Sequence, residues 1–310
     1  MGFFLEVVLG GLMAGVLYSL VALGFVLIFK ASGVFNFAQG AMVLFAALTL
    51  VRLMEILKQT FSPFLLALLL TIAVMIALAW MIERLVLRPL VNQPGISLFM
   101  ATLGISYVLD GFGQAVWGSD VYALDVGIPK RSIVLLESIV PGGVLVPSGD
   151  LVAALVAGVL VLGLGVFFQR TRIGRALRAV ADDHQAAQSV GIPLDYIWLI
   201  VWAVAGIVAL VGGMMWGVKL GVQFSLAQIA LKALPVLILG GFTSIPGAIV
   251  GGLIVGAGEK LAEVLLGPVL VRTFDLAGGG IENWFAYMLA LLFLLVRPQG
   301  LFGEKIIERV

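Results

Sequence analysis

Residues 7–29, VVLGGLMAGVLYSLVALGFVLIF, contain no Asp, Glu, Lys or Arg. A helix needs about 20 apolar residues to cross the hydrocarbon core of a bilayer, and a charged side chain is costly there. The stretch is therefore predicted to form a membrane-spanning helix. Because no basic segment precedes it and no small-residue cleavage site follows it, we expect the helix to be retained and not removed as a signal peptide.

Comparable uncharged stretches recur along the chain, at residues 31–51, 59–82, 89–109, 151–169, 196–218, 233–258 and 283–296. Hydrophobic residues make up 62% of the 310 residues and charged residues 11%. An average soluble domain has roughly 45–50% and 25%. The sequence thus predicts an all-α polytopic membrane protein and argues against a soluble enzyme. The formal net charge of +1 gives no reason to expect a nucleic-acid partner.

The basic residues set the orientation of these segments. Residues 170–178 hold four arginines, the densest positive cluster, and are predicted to be cytoplasmic. Residues 118–150 hold four carboxylates against two basic residues and are predicted to be external. Counting from these two anchors places the N-terminus outside and predicts about nine (roughly eight to ten) membrane segments. The predicted segments are 5–29, 36–56, 63–87, 96–117, 150–168, 196–218, 226–241, 246–266 and 282–297.

The stretch 233–258 contains too many helix breakers for one regular helix, because Pro235, Pro246 and paired glycines at 240–241 and 251–252 interrupt it. We therefore expect two short segments joined at residues 241–247. Broken helices at membrane depth persist where protein or a water-filled cavity surrounds the freed backbone. The join is either such a broken helix or a tight hairpin without functional meaning.

A short motif occurs twice, as residues 35–39 (FNFAQ) and 224–228 (FSLAQ). In the predicted orientation the two copies lie at opposite faces of the membrane, which favours inverted repeats formed by 5–117 and 196–297. Chance also explains three identities in five positions. In the first interpretation the chain is a single transmembrane domain, 1–310, whose connections are an external loop 118–149, a linking span 150–168, a cytoplasmic loop 169–195 and a cytoplasmic tail 298–310.

Residues 169–195 form the longest predicted cytoplasmic segment. Their apolar residues recur at spacings near the helical period, so we expect short helices that end near Gly191 and Pro193. Two interpretations fit this pattern. The segment is either an amphipathic helix that covers lipid headgroups or a docking element for a cytoplasmic protein.

Four stretches together resemble a known family. They are residues 15–24 (GVLYSLVALG), 36–40 (NFAQG), 176–187 (ALRAVADDHQAA, followed by Gly-Ile at 191–192) and 240–252 (GGFTSIPGAIVGG). This set resembles the branched-chain amino-acid ABC transporter permeases, and it matches the H-type subunit of the Liv system better than the M-type. The resemblance extends over nearly the whole chain. Two positions depart from it, because Lys30 stands where a small or hydroxyl residue is expected and Gln39 is often His in relatives.

The resemblance implies a permease subunit in the bacterial cytoplasmic (inner) membrane that helps to import branched-chain amino acids or similar small polar solutes. The implied partners are a second related permease subunit, two cytoplasmic ABC ATPase subunits, a periplasmic or lipid-anchored solute-binding protein and membrane lipid. It also implies that residues 175–191 couple the chain to an ATPase. The implied coupling residues are Arg175, Arg178, Asp182, Asp183, Gln185 and Gly191.

Candidates for the translocation path are polar groups beside the predicted helix breaks, because freed backbone and small polar side chains can replace the water around a solute. These groups are Asn36, Gln39, Gln223, Ser225, Gln228, Thr243 and Ser244. Each of them could instead cap a helix or form an interhelical hydrogen bond.

The residues that the chain lacks also limit its function. It has no Cys and one His, so we expect no disulfide, no metal site and no catalytic residues. It has no G-x-x-x-x-G-K-[ST] phosphate loop, so ATP and Mg²⁺ are expected to bind to partner subunits and no cofactor to this chain.

Two alternative functions stay open. One is a urea or short-amide permease of the same family. The other is a secondary transporter without an ATPase, which would need charges within the membrane. The candidates for such charges are Asp110, Lys232, Glu259, Lys260 and Glu263, which could equally be residues near helix ends that pair with one another.

Overall fold

The computed structural model describes residues 2–90, 93–129, 131–135, 137, 143–182, 184–274 and 280–303. Within these residues the chain is mainly α-helical. The helices are α1 (Gly2–Ser32), α2 (Gln39–Ile56), α3 (Pro63–Ile82), α4 (Gly95–Trp117), α5 (Ser148–Arg170), α6 (Arg172–Asp182), α7 (His184–Ser189), α8 (Leu194–Leu220), α9 (Ile229–Lys232), α10 (Leu234–Gly240), α11 (Ile245–Phe274) and α12 (Ile281–Val296).

Six of the described helical segments are long and apolar enough to cross a membrane. They are α1, α2, Pro63–Leu90, α4, α5 and α8. A bent pair, Phe224–Gly240 with Ile245–Thr273, adds one more if it counts as a single span, and Trp284–Val296 is a shorter apolar helix. The prediction of an all-α polytopic membrane protein is confirmed. The count of about nine segments is not confirmed, because length and composition alone support six or seven of them.

The break predicted between two segments near residue 241 is present. The bent pair turns by 114° between Gly240 and Ile245. The second arm then continues as one helix to Phe274, with Pro268 inside it. The first arm is made of shorter pieces, because a 3-10 turn, Phe224–Gln228, precedes the short helices α9 and α10.

Two compact units make up the chain. The first unit comprises Met1–Ala22, Gly127–Gly158 and Leu231–Val310, and the second comprises Leu23–Val126 and Val159–Ala230. In the second unit α2 is central, since it packs against α3, α4 and α8. Every α2 residue from Gln39 to Val51 is buried, as expected for a helix that is apolar on all sides.

Close helix contacts in the first unit depend on glycine. A Cβ atom on Gly11 of α1 would lie 2.7 Å from the carbonyl oxygen of Gly256 in α11, so the two backbones touch. One turn further along α1, Gly15 faces Gly252 in the same way. The Ser19 hydroxyl also donates a hydrogen bond across to the Ile249 carbonyl of α11 at 3.4 Å. Small residues and hydroxyl groups of this kind hold helices together where lipid removes the hydrophobic driving force.

The stretch predicted as an external loop contains a hairpin that the sequence did not indicate. Strand β1 (Ser132–Leu135) pairs antiparallel with β2 (Val144–Pro147). Val144 and Val146 are buried and pack against apolar residues near the start of α1. The Glu6 carboxylate accepts a hydrogen bond from the backbone N–H of Leu145 at 2.9 Å, which fixes β2 to α1.

Candidate functional site

The segment 169–195 holds two short helices, α6 and α7, as predicted. Helix α6 is amphipathic: Gly174, Leu177 and Val180 are buried at a three-residue spacing, whereas Arg172 and Arg175 are exposed. The described part of this segment therefore has one face against the protein and a basic face outward.

Helix α6 is held rigidly at the end of α5. The Arg178 guanidinium donates a hydrogen bond to the carbonyl oxygen of Phe168 at 2.7 Å, which satisfies one of the carbonyls that a helix end leaves free. Gly174 lies so close to the same carbonyl group that no Cβ would fit. The Thr171 hydroxyl caps the start of α6, because it accepts the backbone N–H of Gly174 at 3.0 Å.

Helix α7 ends in a well-defined cap. The N–H of Ile192 bonds the Ala187 carbonyl at 3.0 Å and the N–H of Gly191 bonds the Gln188 carbonyl at 3.0 Å. Gly191 has a φ of +85°, in the left-handed region that favours glycine. These features define a Schellman motif, so Gly191 shapes the segment through its backbone.

The predicted coupling residues therefore differ in what they can contact. Arg175 and Asp182 are exposed, whereas Arg178 is half-buried and bonded to α5. Gln185 lies within α7. Asp183 and the side chain of Gln185 are outside the part of the chain that the structure describes.

A cavity of about 560 Å³ adjoins the cap of α7. Its walls are Arg88, Gln188 and the five residues 191–195. Arg88 and Asp195 approach to 3.7 Å across it, and both side chains are about half exposed. Val190 is 75% exposed beside this cavity. The second unit thus presents a recess formed by Arg88, the end of α7 and the start of α8, next to an exposed apolar side chain.

The first predicted path motif, at 35–39, is fully inside the second unit. Asn36 and Gln39 are both 0% exposed. The Asn36 side-chain oxygen accepts the backbone N–H of Ala38 at 3.0 Å, and its amide donates to Gln39 at 3.5 Å. The Gln39 amide nitrogen has no hydrogen-bond partner among the described residues and faces Gly24, where a Cβ would not fit. Asn36 therefore stabilises the turn before α2, and the Gln39 side chain has a hydrogen-bond donor that the described residues do not use.

Thr102 of α4 also supports this turn, and the sequence did not single it out. Its hydroxyl accepts the backbone N–H of Phe37 at 3.3 Å and donates to the Phe99 carbonyl at 2.9 Å. Phe37 also meets the Phe99 ring edge-on, with centroids 4.8 Å apart. A lone Thr in an apolar helix carries no signal of such a long-range contact.

The second motif, at 224–228, forms a 3-10 turn against the start of α2. A Cβ on Gly40 would lie 2.8 Å from the Cβ of Ala230 and would collide with the Ala227 carbonyl. The structure therefore brings the two similar motifs together through Gly40. Their polar residues differ in burial: Gln223 is half-buried, whereas Ser225 and Gln228 are exposed.

Thr243 and Ser244 lie at the bend between α10 and α11, and both are half-buried. The Ser244 hydroxyl accepts the backbone N–H of Gly247 at 3.0 Å and so caps the start of α11. The two helices touch at this bend, because no Cβ would fit on Gly240 or Gly247. Ser244 thus has a clear structural role beside the one predicted.

A polar cluster at the end of α2 was missed by the sequence analysis. The Arg52 guanidinium pairs with Glu55 at 2.6 Å, donates to the Tyr122 hydroxyl at 2.9 Å and lies 4.3 Å from the centre of the Tyr122 ring. Tyr122 also exchanges two backbone hydrogen bonds with Val222, at 2.9 and 2.8 Å. The cluster ties the segment after α4 to the segment after α8.

The charged candidates for ion coupling lie on several helices. Lys260 pairs with Glu263 at 2.7 Å on a partly exposed face of α11. Asp110 lies in α4, and Glu259 is a buried residue of α11. No group of three or more His, Cys, Asp or Glu side chains able to hold a metal ion occurs among the described residues.

These features define the class of protein: a multi-pass helical membrane protein with a rigid amphipathic segment between two membrane helices. Residues 7–297 match the model of the family described as "Branched-chain amino acid transport system / permease component". The chain belongs to this family. It is a transport permease and not an enzyme.

Curated relatives extend over almost the full length. The chain is 29% identical over 315 residues to the high-affinity branched-chain amino acid transport system permease protein BraD of Pseudomonas aeruginosa, which covers 99% of this chain and 98% of that protein. It is 28% identical to LivH of Salmonella typhimurium with the same coverage. It is 29% identical to a probable LivH of Methanocaldococcus jannaschii, over 95% of this chain and 91% of that protein. The resemblance to the H-type permeases is thereby confirmed.

Proposed function

We propose that the chain is the membrane-spanning subunit of an ATP-driven importer for branched-chain amino acids or similar small polar solutes in the bacterial inner membrane. The BraD and LivH relatives are named as branched-chain amino acid transport permeases, which supports this solute class. The proposed complex contains a second related permease, two cytoplasmic ATPases and a solute-binding protein. The absence of a phosphate loop from the sequence agrees with an energy source in partner subunits.

The rigid attachment of α6 to α5 is the main observation that supports the proposed coupling to an ATPase. An ATP-driven movement of a partner subunit can be transmitted to the membrane helices only through a rigid element. Arg178, Gly174 and Thr171 fix α6 at its origin, and the cap at Gly191 fixes the return to α8. Arg175 and Asp182 are two of the exposed charges on this element and are proposed to contact the ATPase. Arg178 is proposed to position the helix instead.

The translocation path is proposed to run beside the helix breaks. Gln39 supports this because its amide nitrogen is a buried donor without a hydrogen-bond partner among the described residues. Such a donor is costly unless another state of the protein, a water or a solute satisfies it. Gln223, Thr243 and Ser244 are half-buried polar groups near the other breaks. Asn36 is proposed to hold the turn that presents Gln39.

A comparison of Arg175→Glu with Arg178→Lys tests the coupling. Arg175→Glu reverses an exposed charge without disturbing α6, so we expect normal assembly in the membrane but loss of solute uptake and of solute-stimulated ATP hydrolysis. Arg178→Lys keeps the charge and one donor and should retain most uptake. The measurement is uptake and ATPase activity of the reconstituted complex of the two permeases, the two ATPases and the solute-binding protein. Full uptake by Arg175→Glu would contradict the assignment of this residue.

Binding of candidate solutes to the cognate solute-binding protein tests the substrate class. Leucine, isoleucine and valine are expected to bind and to be taken up. Binding of urea or short amides in their place would favour the second branch of the family. Uptake by the chain without any ATPase would overturn the proposed energy source.

A further inference from the structure

Residues 297–303 (RPQGLFG) follow α12 and return to the bend between α10 and α11. The backbone N–H of Leu301 donates to the carbonyl of Leu239 at 2.8 Å, and the N–H of Phe302 donates to the carbonyl of Gly240 at 3.1 Å. Both acceptors are the last residues of α10, whose carbonyls have no partner within the helix. We call residues 297–303 the tail clasp, because they satisfy these two carbonyls from outside.

Glycine makes this contact possible. A Cβ on Gly300 would lie 2.7 Å from the backbone nitrogen of Gly241, and one on Gly241 would lie 2.8 Å from the nitrogen of Gly303. Gly241 and Gly300 also have φ values of +104° and +79°, which side chains of L-residues rarely adopt. The clasp and the bend therefore meet backbone to backbone, without room for a methyl group.

The bend depends on support of this kind. Helix α10 is only seven residues long and has Pro235 near its start, so it gains little stability from its own hydrogen bonds. Carbonyls freed at a helix break in a membrane persist only where protein or water satisfies them. Ser244 caps the α11 side of the bend, and the clasp satisfies the α10 side.

We propose that the tail clasp is a positioning element for transport: it holds residues 241–244, and with them Thr243 and Ser244, at the bend between α10 and α11. This inference rests on the proposed function, in which Thr243 and Ser244 line the path. Release of residues 297–303 frees the bend and increases the exposure to water of its two half-buried hydroxyl-bearing residues. Neither the family model, which ends at residue 297, nor any motif in the sequence assigns a role to this segment.

The chain offers a direct test because it contains no cysteine. In a Thr243→Cys background the new thiol is the only one in the protein, and its rate of labelling by a water-soluble maleimide in detergent-permeabilised membranes reports access to the bend. Gly300→Ala in this background places a methyl group against the Gly241 nitrogen and should displace the clasp. Because the two hydrogen bonds of the clasp are then lost, the labelling rate should rise to roughly 30-fold that of the parent.

Gly280→Ala is the matched control. Gly280 has a φ of +81°, close to that of Gly300, but a Cβ there would meet no atom of the described residues within 4 Å. Both variants therefore carry the same backbone strain, and only Gly300→Ala adds a collision with the bend. Gly280→Ala is expected to label within about twofold of the parent. Equal labelling rates of the two variants would refute the proposed role of the tail clasp.

Phe302→Pro is a second, milder variant, which decides the matter if Gly300→Ala fails to reach the membrane. It removes the N–H that bonds Gly240 and adds no bulk at Gly241, so labelling should rise roughly fivefold. Labelling at the parent rate would refute the proposal.

Uptake by the full complex separates this proposal from the function it rests on. Clasp variants should lower the maximal uptake rate while the half-saturating concentration of loaded binding protein stays unchanged. Labelling does not require transport. Absence of uptake by the parent chain would therefore refute the proposed function. A labelling rate that is the same in the parent and in the clasp variants would refute this inference alone.

Discussion

Gly11→Ala and Gly10→Ala are neighbouring substitutions for which the structure predicts different effects on stability. A Cβ on Gly11 would lie 2.7 Å from the Gly256 carbonyl oxygen and 2.8 Å from the Cα of Ala257, both of which are backbone atoms. Within the part of the chain that the structure describes, a Cβ on Gly10 would meet nothing within 4 Å. Both residues are inside α1, so each substitution brings the same gain in helix propensity, about 1 kcal/mol.

The collision sets the size of the difference. Extra volume in a packed site without room for it costs about 1–3 kcal/mol. Gly10→Ala is therefore expected to be neutral or to stabilise by up to about 1 kcal/mol, whereas Gly11→Ala should be less stable than Gly10→Ala by about 1–3 kcal/mol. At roughly 3 °C per kcal/mol, the two melting temperatures should differ by about 3–9 °C.

Thermal unfolding of the full chain in detergent, followed by tryptophan fluorescence and by the folded fraction recovered on size-exclusion chromatography, measures this difference. The pair is internally controlled, because the two variants share composition, helix and propensity gain. A Gly11→Ala protein that melts at or above the temperature of Gly10→Ala would show that α1 and α11 do not touch at Gly11 and Gly256.

Three further outcomes are expected. Gly191→Ala should lower stability by about 1 kcal/mol in thermal unfolding, because its φ of +85° is costly for alanine, whereas Gly158→Ala inside α5, where nothing lies within 4 Å, should not lower it. Ser244→Ala removes the cap of α11 and should cost about 0.5–2 kcal/mol, with Ser244→Thr recovering most of the loss in the same assay. Arg52→Lys cannot keep the contacts to both Glu55 and Tyr122, so limited proteolysis should cut near residue 122 faster; an unchanged cleavage rate would contradict the role of the cluster.

The helical architecture follows from the sequence because the bilayer imposes a simple rule. Charges are excluded and a span needs a minimum length, so uncharged stretches such as 7–29 predict membrane helices. Local sequence also predicted the break near Gly241, because proline and paired glycines lie close together there and disfavour one regular helix. The short helices in 169–195 were likewise predictable from local periodicity.

The sequence determined less about the site. Arg175 and Arg178 look alike in the sequence, but only the structure shows that Arg178 bonds the Phe168 carbonyl and that Arg175 is exposed. The predicted path residues also differ in burial in the folded chain, because Asn36 and Gln39 are buried while Ser225 and Gln228 are exposed. Side-chain direction depends on neighbours distant in sequence, which local pattern does not encode.

What the sequence determined by itself is the class of protein, its family and its longest apolar helices, because lipid solvation acts on composition and local pattern. What only the tertiary structure decided is which backbones touch. The contacts of Gly11 with Gly256, of Gly40 with Ala227 and of Gly300 with Gly241 join residues far apart in the chain. Glycine is frequent throughout this sequence, with 39 residues, so its presence marks no particular contact. The physical reason is that a close contact depends on two helix surfaces at once, whereas the local sequence describes only one of them.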